Sequence, residues 1–310
     1  MTSTTEPRVL RVRAPGKINL RLRVGPPRAD GYHPLATVFQ AVNLFEEVRA
    51  QRADDIAVTV AGRDADQVPT DERNLAHRAA LLLAQAAGVE AGVHLHITKE
   101  VPVAGGMGGG SADAAATLLA CDLLWETGLD REELVQLAAT LGADVPFALT
   151  GQTALGRGRG DVLTPALAGG RYFWVLALSE TGLSTPEVFA ALDESGAIPP
   201  NRRVSIPPSM MKALRSGDPR QLTRHLVNDL TDAAVSLRPE VGTVLAAYER
   251  TAALAAIVSG SGPTVAGLAP DHARAVGIAE QIRAAGVADE VVVAHGPVSG
   301  ARVVEQVGTD

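Results

Sequence analysis

Pro102-Val-Ala-Gly105-Gly106-Met107-Gly108-Gly109-Gly110-Ser111-Ala112-Asp113-Ala114-Ala115-Ala116 decides how this 310-residue chain is read. Five of the six residues from Gly105 to Gly110 are glycine. Without a Cβ the backbone turns tightly, and successive N–H groups can converge on an anion. Ala115, Leu118, Leu119 and Leu123 follow at helical spacing, which predicts a helix running to Gly128. Bare amides feeding a helix N-terminus suit a phosphate, because unpaired N–H groups and the helix dipole both favour negative charge. The plain alternative is a glycine turn that only packs a helix onto a sheet. The length and context of the run favour phosphate.

Better-known phosphate loops do not fit. A Walker loop ends in Gly-Lys-Ser/Thr, and no lysine lies between Pro102 and Ala116. A dinucleotide fingerprint in register with Gly106 and Gly108 needs a third glycine where Ser111 stands. The His-Arg-Asp and Asp-Phe-Gly signatures of protein kinases are absent.

Composition narrows the class. The net charge is −7 and no basic run occurs, which argues against nucleic acid and anionic membranes as partners. No apolar run approaches the roughly 20 residues that span a bilayer. The single cysteine, Cys121, excludes an internal disulfide, fits a reducing compartment, and sits in the helix pattern as a core filler. Met1–Pro7 reads as a loose polar tail without the apolar centre of a signal peptide, so a soluble cytoplasmic protein is expected. Apolar residues make up 46%, enough for one large or two ordinary domains. A composition shift at Ala166–Gly170 places a boundary between residues 1–167 and 168–310.

Along the chain, Ile18, Leu20, Leu22 and Val24 alternate with Lys17, Asn19, Arg21 and Arg23, the period of a strand with one buried face. Lys17 and Asn19 then share a side. Ala14-Pro15-Gly16 predicts a break between two strand segments. Lys17 is either a solvated strand charge or a cation aimed at a phosphate or a reacting hydroxyl. Arg28-Ala-Asp30-Gly31-Tyr32-His33-Pro34 is turn-rich, and its Tyr-His pair suits a planar base as well as a packed loop. Val38–Val48 reads as a strand pair and Ile56–Val60 as a strand. A helix is expected from Asp71-Glu72-Arg73-Asn74-Leu75 to Gly88, with acids in its first turn. Val93–Ile97 reads as a strand with His94 and His96 on one solvated face, since no third metal ligand is near.

A helix from Glu132 to Leu141 precedes Asp144-Val-Pro146-Phe147. Asp144 is either an N-cap or a catalytic base. Gly151–Gly160 carries Arg157 and Arg159 in a loop or hairpin. Beyond it, Tyr172–Leu178 reads as a buried strand. Thr181 to Phe189 turns into a helix that Ser184 or Thr185 could cap, and Glu194–Ser209 reads as a mobile surface loop. Leu222–Leu230 and Pro239–Thr251 read as helices. A second glycine loop, Ser259-Gly-Ser-Gly262-Pro-Thr264, lies between strands at 255–258 and 265–268. A helix at 272–285 and a final strand at 290–294 complete an α+β second half.

The segment Pro-x-x-x-Gly-Met-Gly-Gly-Gly-Ser-Ala before a helix resembles the phosphate-binding motif of the GHMP small-molecule kinases, which include galactokinase, homoserine kinase and mevalonate kinase. Pro15-Gly16-Lys17-Ile18-Asn19-Leu20, Arg28-Ala-Asp-Gly-Tyr32-His33 and Leu141-Gly-Ala-Asp144-Val-Pro-Phe extend that resemblance, in order, over the chain from about Arg13 to the Ser259–Thr264 loop. Together they match the branch of the family that acts on a cytidine diphosphate-linked methylerythritol. The resemblance implies a two-domain α+β fold, with an N-terminal domain like domain 2 of ribosomal protein S5 and a ferredoxin-like C-terminal domain. It implies ATP and Mg²⁺ as cofactors and a small-molecule substrate.

By the same resemblance Asp144 is the base and Lys17 stabilises the reacting oxygen. The segment Pro102, Val103, Ala104, Gly105, Gly106, Met107, Gly108, Gly109, Gly110, Ser111 and Ala112 holds ATP, with Asn74 and Lys99 near the adenosine. Asn19, Tyr32, His33, Thr185 and Phe189 fall on substrate positions. Ser111 is the only hydroxyl of the loop, and Asp113 brings an acid that would repel phosphate unless it points away or Mg²⁺ is present. A kinase of homoserine or mevalonate, and a non-catalytic nucleotide-binding regulator, are the alternatives.

Overall fold

A computed structural model describes residues 8–307, so the Met1–Pro7 tail lies outside the described residues. The alternation at the start of the chain becomes one long strand, β1 (Val9–Val24), paired antiparallel with β2 (Leu35–Arg52) from Val9↔Gln51 to Val24↔Leu35. The expected break at Ala14-Pro15-Gly16 is instead an irregularity inside the strand. Register shifts fall between Pro15 and Lys17 and again between Asn19 and Arg21. A bulge absorbs the proline, which cannot donate to the ladder, and re-aims the side chains beside it. Likewise 38–48 is one strand, not a pair.

β3 (Ile56–Gly62) runs parallel to β4 (Val93–Lys99), and β4 pairs with β2. Between them lies α1 (Leu75–Ala87). Asn74 caps it by accepting from the Ala76 amide, so Asp71 and Glu72 precede the helix and do not occupy its first turn. α2 (Gly109–Trp125) ends three residues before Gly128 and is buried on all sides, between the sheet and α1, α3 (Arg131–Leu141) and α4 (Val145–Thr150). Its alanines allow that close approach, and an apolar surface all round is what a fully enclosed helix requires. Cys121 is part of this core, and burial pushes its thiol up. β5 (Thr153–Arg157) and β6 (Val162–Pro165) form the hairpin at the edge of β2.

In the second half, β7 (Tyr172–Leu178) leads into α5 (Thr185–Glu194), α6 (Pro208–Ser216) and the single turn α7 (Pro219–Leu222). The helix expected over Leu222–Leu230 is absent. A 3-10 turn at Thr223–His225 and the short strand β8 (Val227–Asn228) replace it. β8 pairs with Arg21–Leu22, and the buried Asn228 amide donates to Val258 O and Gly260 O, so tertiary bonds override the local pattern. α8 (Thr231–Leu237), α9 (Pro239–Tyr248), β9 (Ala255–Val258), β10 (Val265–Ala269), α10 (His272–Ala285), β11 (Glu290–Gly296) and β12 (Arg302–Val307) follow. The strand at 290–294 is therefore not the last: β12 returns to pair with β1.

The molecule is α+β. One sheet runs β12-β1-β2-β4-β3, with β5, β6 and β8 attached; the other runs β11-β7-β10-β9. Trp174 in β7 donates its indole N–H to Gln40 Oε1 in β2 at 2.9 Å, which ties the two sheets together. Among the described residues, no helix is long and apolar enough to cross a membrane.

Candidate active site

Between the two sheets lies a cavity of about 570 Å³. The glycine run forms one wall, the middle of β1 another, and Thr185 and Phe189 of α5 a third.

Gly108 is the N-cap of α2 and adopts a left-handed backbone, with no side chain capping the helix. The amides of Gly109, Gly110 and Ser111 therefore open the helix with no acceptor behind them. Gly106 explains part of the glycine requirement. It has φ +75°, and a Cβ there would lie 2.0 Å from the Ser259 carbonyl. That contact belongs to the second glycine loop, which clamps the first: Ser259 Oγ donates to Gly106 O at 3.0 Å. Leu183 N donates to Ala104 O, joining the loop to the second half as well. The sequence singled out the Ser259–Thr264 loop but gave it no task. Its signal was the repeated glycine spacing.

Lys17 reaches the cavity from the irregular stretch of β1. Its Nζ donates to Asn19 Oδ1 and to Gly106 O, both at 2.8 Å. Its remaining hydrogen faces Asp144 Oδ2, 3.6 Å away. Asn19 shares the strand face, as period two requires, and donates to Thr37 Oγ1. Asp144 stands just before α4 but makes no side-chain cap, so the capping alternative falls. Phe147, one turn on, packs against Phe39 of β2 with ring centroids 5.0 Å apart, and the Phe39 ring lies 5.7 Å from Lys17 Nζ. That stack sets α4, and with it the carboxylate, opposite the lysine. Asp144 keeps 30% of its side chain exposed against 8% for Lys17.

Pro102, Val103, Ala104, Gly105, Gly106, Gly108, Gly109, Gly110 and Ser111 line the cavity. Met107 and Ala112 are fully buried, so they can offer only backbone; Met107 O accepts from Lys17 N. Asn74 lines the wall, yet its side chain is spent on capping α1 and on donating to Pro69 O.

Lys99, expected near the adenosine, lines the cavity with its amine already engaged. Its amine lies 2.5 Å from Glu46 Oε1 and 2.5 Å from Asp113 Oδ2, with all three side chains buried. Asp113 is thus held on Lys99 at the inner wall of the cavity. Burial, then the charge of Asp113, pushes the Glu46 carboxyl up to about 8. Burial pushes the Asp113 carboxyl up too. Burial opposes the Lys99 charge, but the two carboxylates outweigh it and raise the amine. The cluster sits directly beneath the helix start, since a Cβ on Gly109 would lie 2.7 Å from Glu46 Oε1. Glu46 was not among the expected site residues; alone in a strand, it carried no signal.

At the far end, Thr185 Oγ1 lies 2.9 Å from Ser261 Oγ, and neither Ser184 nor Thr185 caps α5 through its side chain. Phe189 stacks on His33, centroids 5.1 Å apart. The His33 Nδ1–H donates to Gly25 O at 2.8 Å, and Nε2 lies 3.3 Å from Asp193. Tyr32 is 54% exposed beyond the cavity wall, with the Arg159 guanidinium 4.9 Å over its ring. His94 and His96 share the Thr59 hydroxyl on the outer face of the sheet, away from all of this.

In this pocket a lysine and a carboxylate face each other beneath helix-opening amides, and the class of the protein is that of the GHMP kinases. The family models agree: GHMP kinases N terminal domain matches residues 74–152, and GHMP kinases C terminal matches 210–288. The curated 4-diphosphocytidyl-2-C-methyl-D-erythritol kinase of Leifsonia xyli is 56% identical over 94% of this chain and 97% of its own. That of Paenarthrobacter aurescens is 50% identical over 96% of each. Among solved structures, a 4-(cytidine 5'-diphospho)-2C-methyl-D-erythritol kinase superposes with TM-score 0.76 at 33% identity, over 92% of this chain and 98% of that one. A homoserine kinase from Cytophaga hutchinsonii shares the fold at TM-score 0.74 and 20% identity, over 98% of this chain and 99% of that one. The chain belongs to the 4-diphosphocytidyl-2-C-methyl-D-erythritol kinase family.

Proposed function

We propose that the chain transfers the γ-phosphate of ATP to the 2-hydroxyl of 4-diphosphocytidyl-2-C-methyl-D-erythritol, a step in non-mevalonate isoprenoid precursor synthesis. The observation that carries this reading is the Lys17–Asp144 pair, 3.6 Å apart, on the cavity that the helix-opening amides also face. Phosphoryl transfer asks for positioning and charge neutralisation more than covalent help. The amides of Gly109, Gly110 and Ser111 cradle the phosphates. Asp144 takes the proton of the attacking hydroxyl, whose oxygen forms the new bond to the γ-phosphorus. The bond to the bridging oxygen breaks and ADP leaves. Lys17, held by Asn19 and Gly106, stabilises the attacking oxygen. Mg²⁺ needs few protein ligands where phosphates supply oxygens, and the Ser111 hydroxyl beside those amides fits an ion carried on ATP. When bound, it neutralises charge on the phosphates.

Thr185, Phe189, Tyr32 and His33 frame the cytidine end. Incubation with ATP, Mg²⁺ and a panel comprising the cytidyl substrate, homoserine and mevalonate, followed by ADP release, tests the reading. ADP is expected with the cytidyl substrate alone. Turnover of homoserine or mevalonate in its place would identify a different kinase, and ATP binding without any turnover would identify a regulator.

A further inference from the structure

Four cations line the cavity: Lys17, Arg73, Lys99 and Arg159. Three are committed. Lys17 is bonded to Asn19 and Gly106 and faces Asp144. Lys99 sits between Glu46 and Asp113. Arg73 is doubly bonded to Asp71. Arg159 differs. Among the described residues its guanidinium has no hydrogen-bond acceptor, and the nearest carboxylate, Asp161, is 3.7 Å from Nε. Nearly half of the side chain is open.

Its place is fixed by the β5–β6 turn. Gly158 O accepts from Leu35 N, and Arg159 N donates to Asp161 Oδ1. A Cβ on Gly160 would lie 3.5 Å from the Phe39 ring. The turn therefore hangs over β2 between Tyr32 at one end and Phe39, beside Lys17, at the other. The guanidinium covers the Tyr32 ring and leaves its N–H edge free.

We propose that Arg159 grips the diphosphate of the substrate. The proposal rests on the substrate named under the proposed function. A diphosphate that joins a base near Tyr32 to a hydroxyl near Lys17 has to pass this turn. It brings negative charge into a cavity whose other cations each hold a hydrogen-bond acceptor, whereas the Arg159 guanidinium has only the 3.7 Å ion pair with Asp161, in a chain of net charge −7. A planar fork of N–H donors suits two phosphate oxygens better than a point charge does.

The test compares CDP with cytidine, each titrated calorimetrically with the ATP site filled by a non-hydrolysable ATP analogue. Wild type is expected to bind CDP more tightly than cytidine. Arg159→Gln is expected to weaken CDP about 10- to 100-fold, the loss of a charged hydrogen-bond pair, and to hold cytidine within about twofold. Arg159→Lys should recover part of the CDP affinity. Equal weakening of both ligands, no weakening of either, or a wild type that does not prefer CDP would overturn the proposal. Turnover of the cytidyl substrate by wild type is measured alongside. Its absence sinks the proposed function and leaves the CDP-to-cytidine ratio as a separate result.

Discussion

Two lysine–carboxylate groups flank the same glycine run, and they differ in nearly everything but composition. Lys17 faces one carboxylate at 3.6 Å, and 30% of the Asp144 side chain is open to the cavity. Lys99 touches two carboxylates at 2.5 Å, and no member of that cluster shows more than 3% of its side chain. The first group has a loose contact and room for a hydroxyl between base and solvent. The second has no room, and its lysine is saturated. What it does is fasten β2, β4 and α2 at the point where the helix-opening amides begin. Burial and partner number separate the pair proposed to react from the cluster that braces.

The comparison breaks most visibly at Asp144. Asp144→Asn is expected to lower kcat by about 10²- to 10⁴-fold, the usual worth of a positioned base, with ATP affinity held. Steady-state kinetics with an ATP titration checks it, and a fully active variant would remove Asp144 from the role of base.

Lys99→Met should do the opposite. It leaves the buried Asp113 and Glu46 carboxyls without their cationic partner, a loss of about 3–5 kcal/mol in stability by urea unfolding. A stable variant deficient only in ATP binding would show that Lys99 touches nucleotide after all.

Glu46→Gln sharpens the contrast with the smallest effect. In the folded chain the carboxyl keeps its proton up to about 8, whereas an ordinary glutamate releases it near 4.5. Between those values the native state binds more protons than the unfolded one, so stability falls as pH rises through that window. The melting temperature of wild type should therefore decline from about pH 5 to about pH 8 more steeply than that of Glu46→Gln. Parallel curves would mean that Glu46 is ionised throughout.

Much of the site was legible because its residues lie in short contiguous motifs. Period two put Lys17 and Asn19 on one face, and the glycine run announced a helix opening. Asp144 could be named but not decided, since Asp before Val-Pro reads equally well as a cap. The second glycine loop was visible without a purpose, because its purpose is a contact with Gly106 more than 150 residues away. The partners of Lys99 were hidden for a related reason. A lysine at the end of a strand shows no counter-charge until Glu46 and Asp113 are brought to it from two other elements.

Local sequence determined the strands of the first half, the main helices, the amide-rich loop and the residue types available to hold phosphate, because these depend on backbone geometry and on neighbours within a few positions. The tertiary structure alone decided that 222–230 is no helix, that the chain's last described strand returns to its first, and which of two lysines faces a partly exposed carboxylate. Those outcomes depend on burial and on pairing across the whole chain, which set the cost of a charge and the partner of each amide, and no local pattern encodes them.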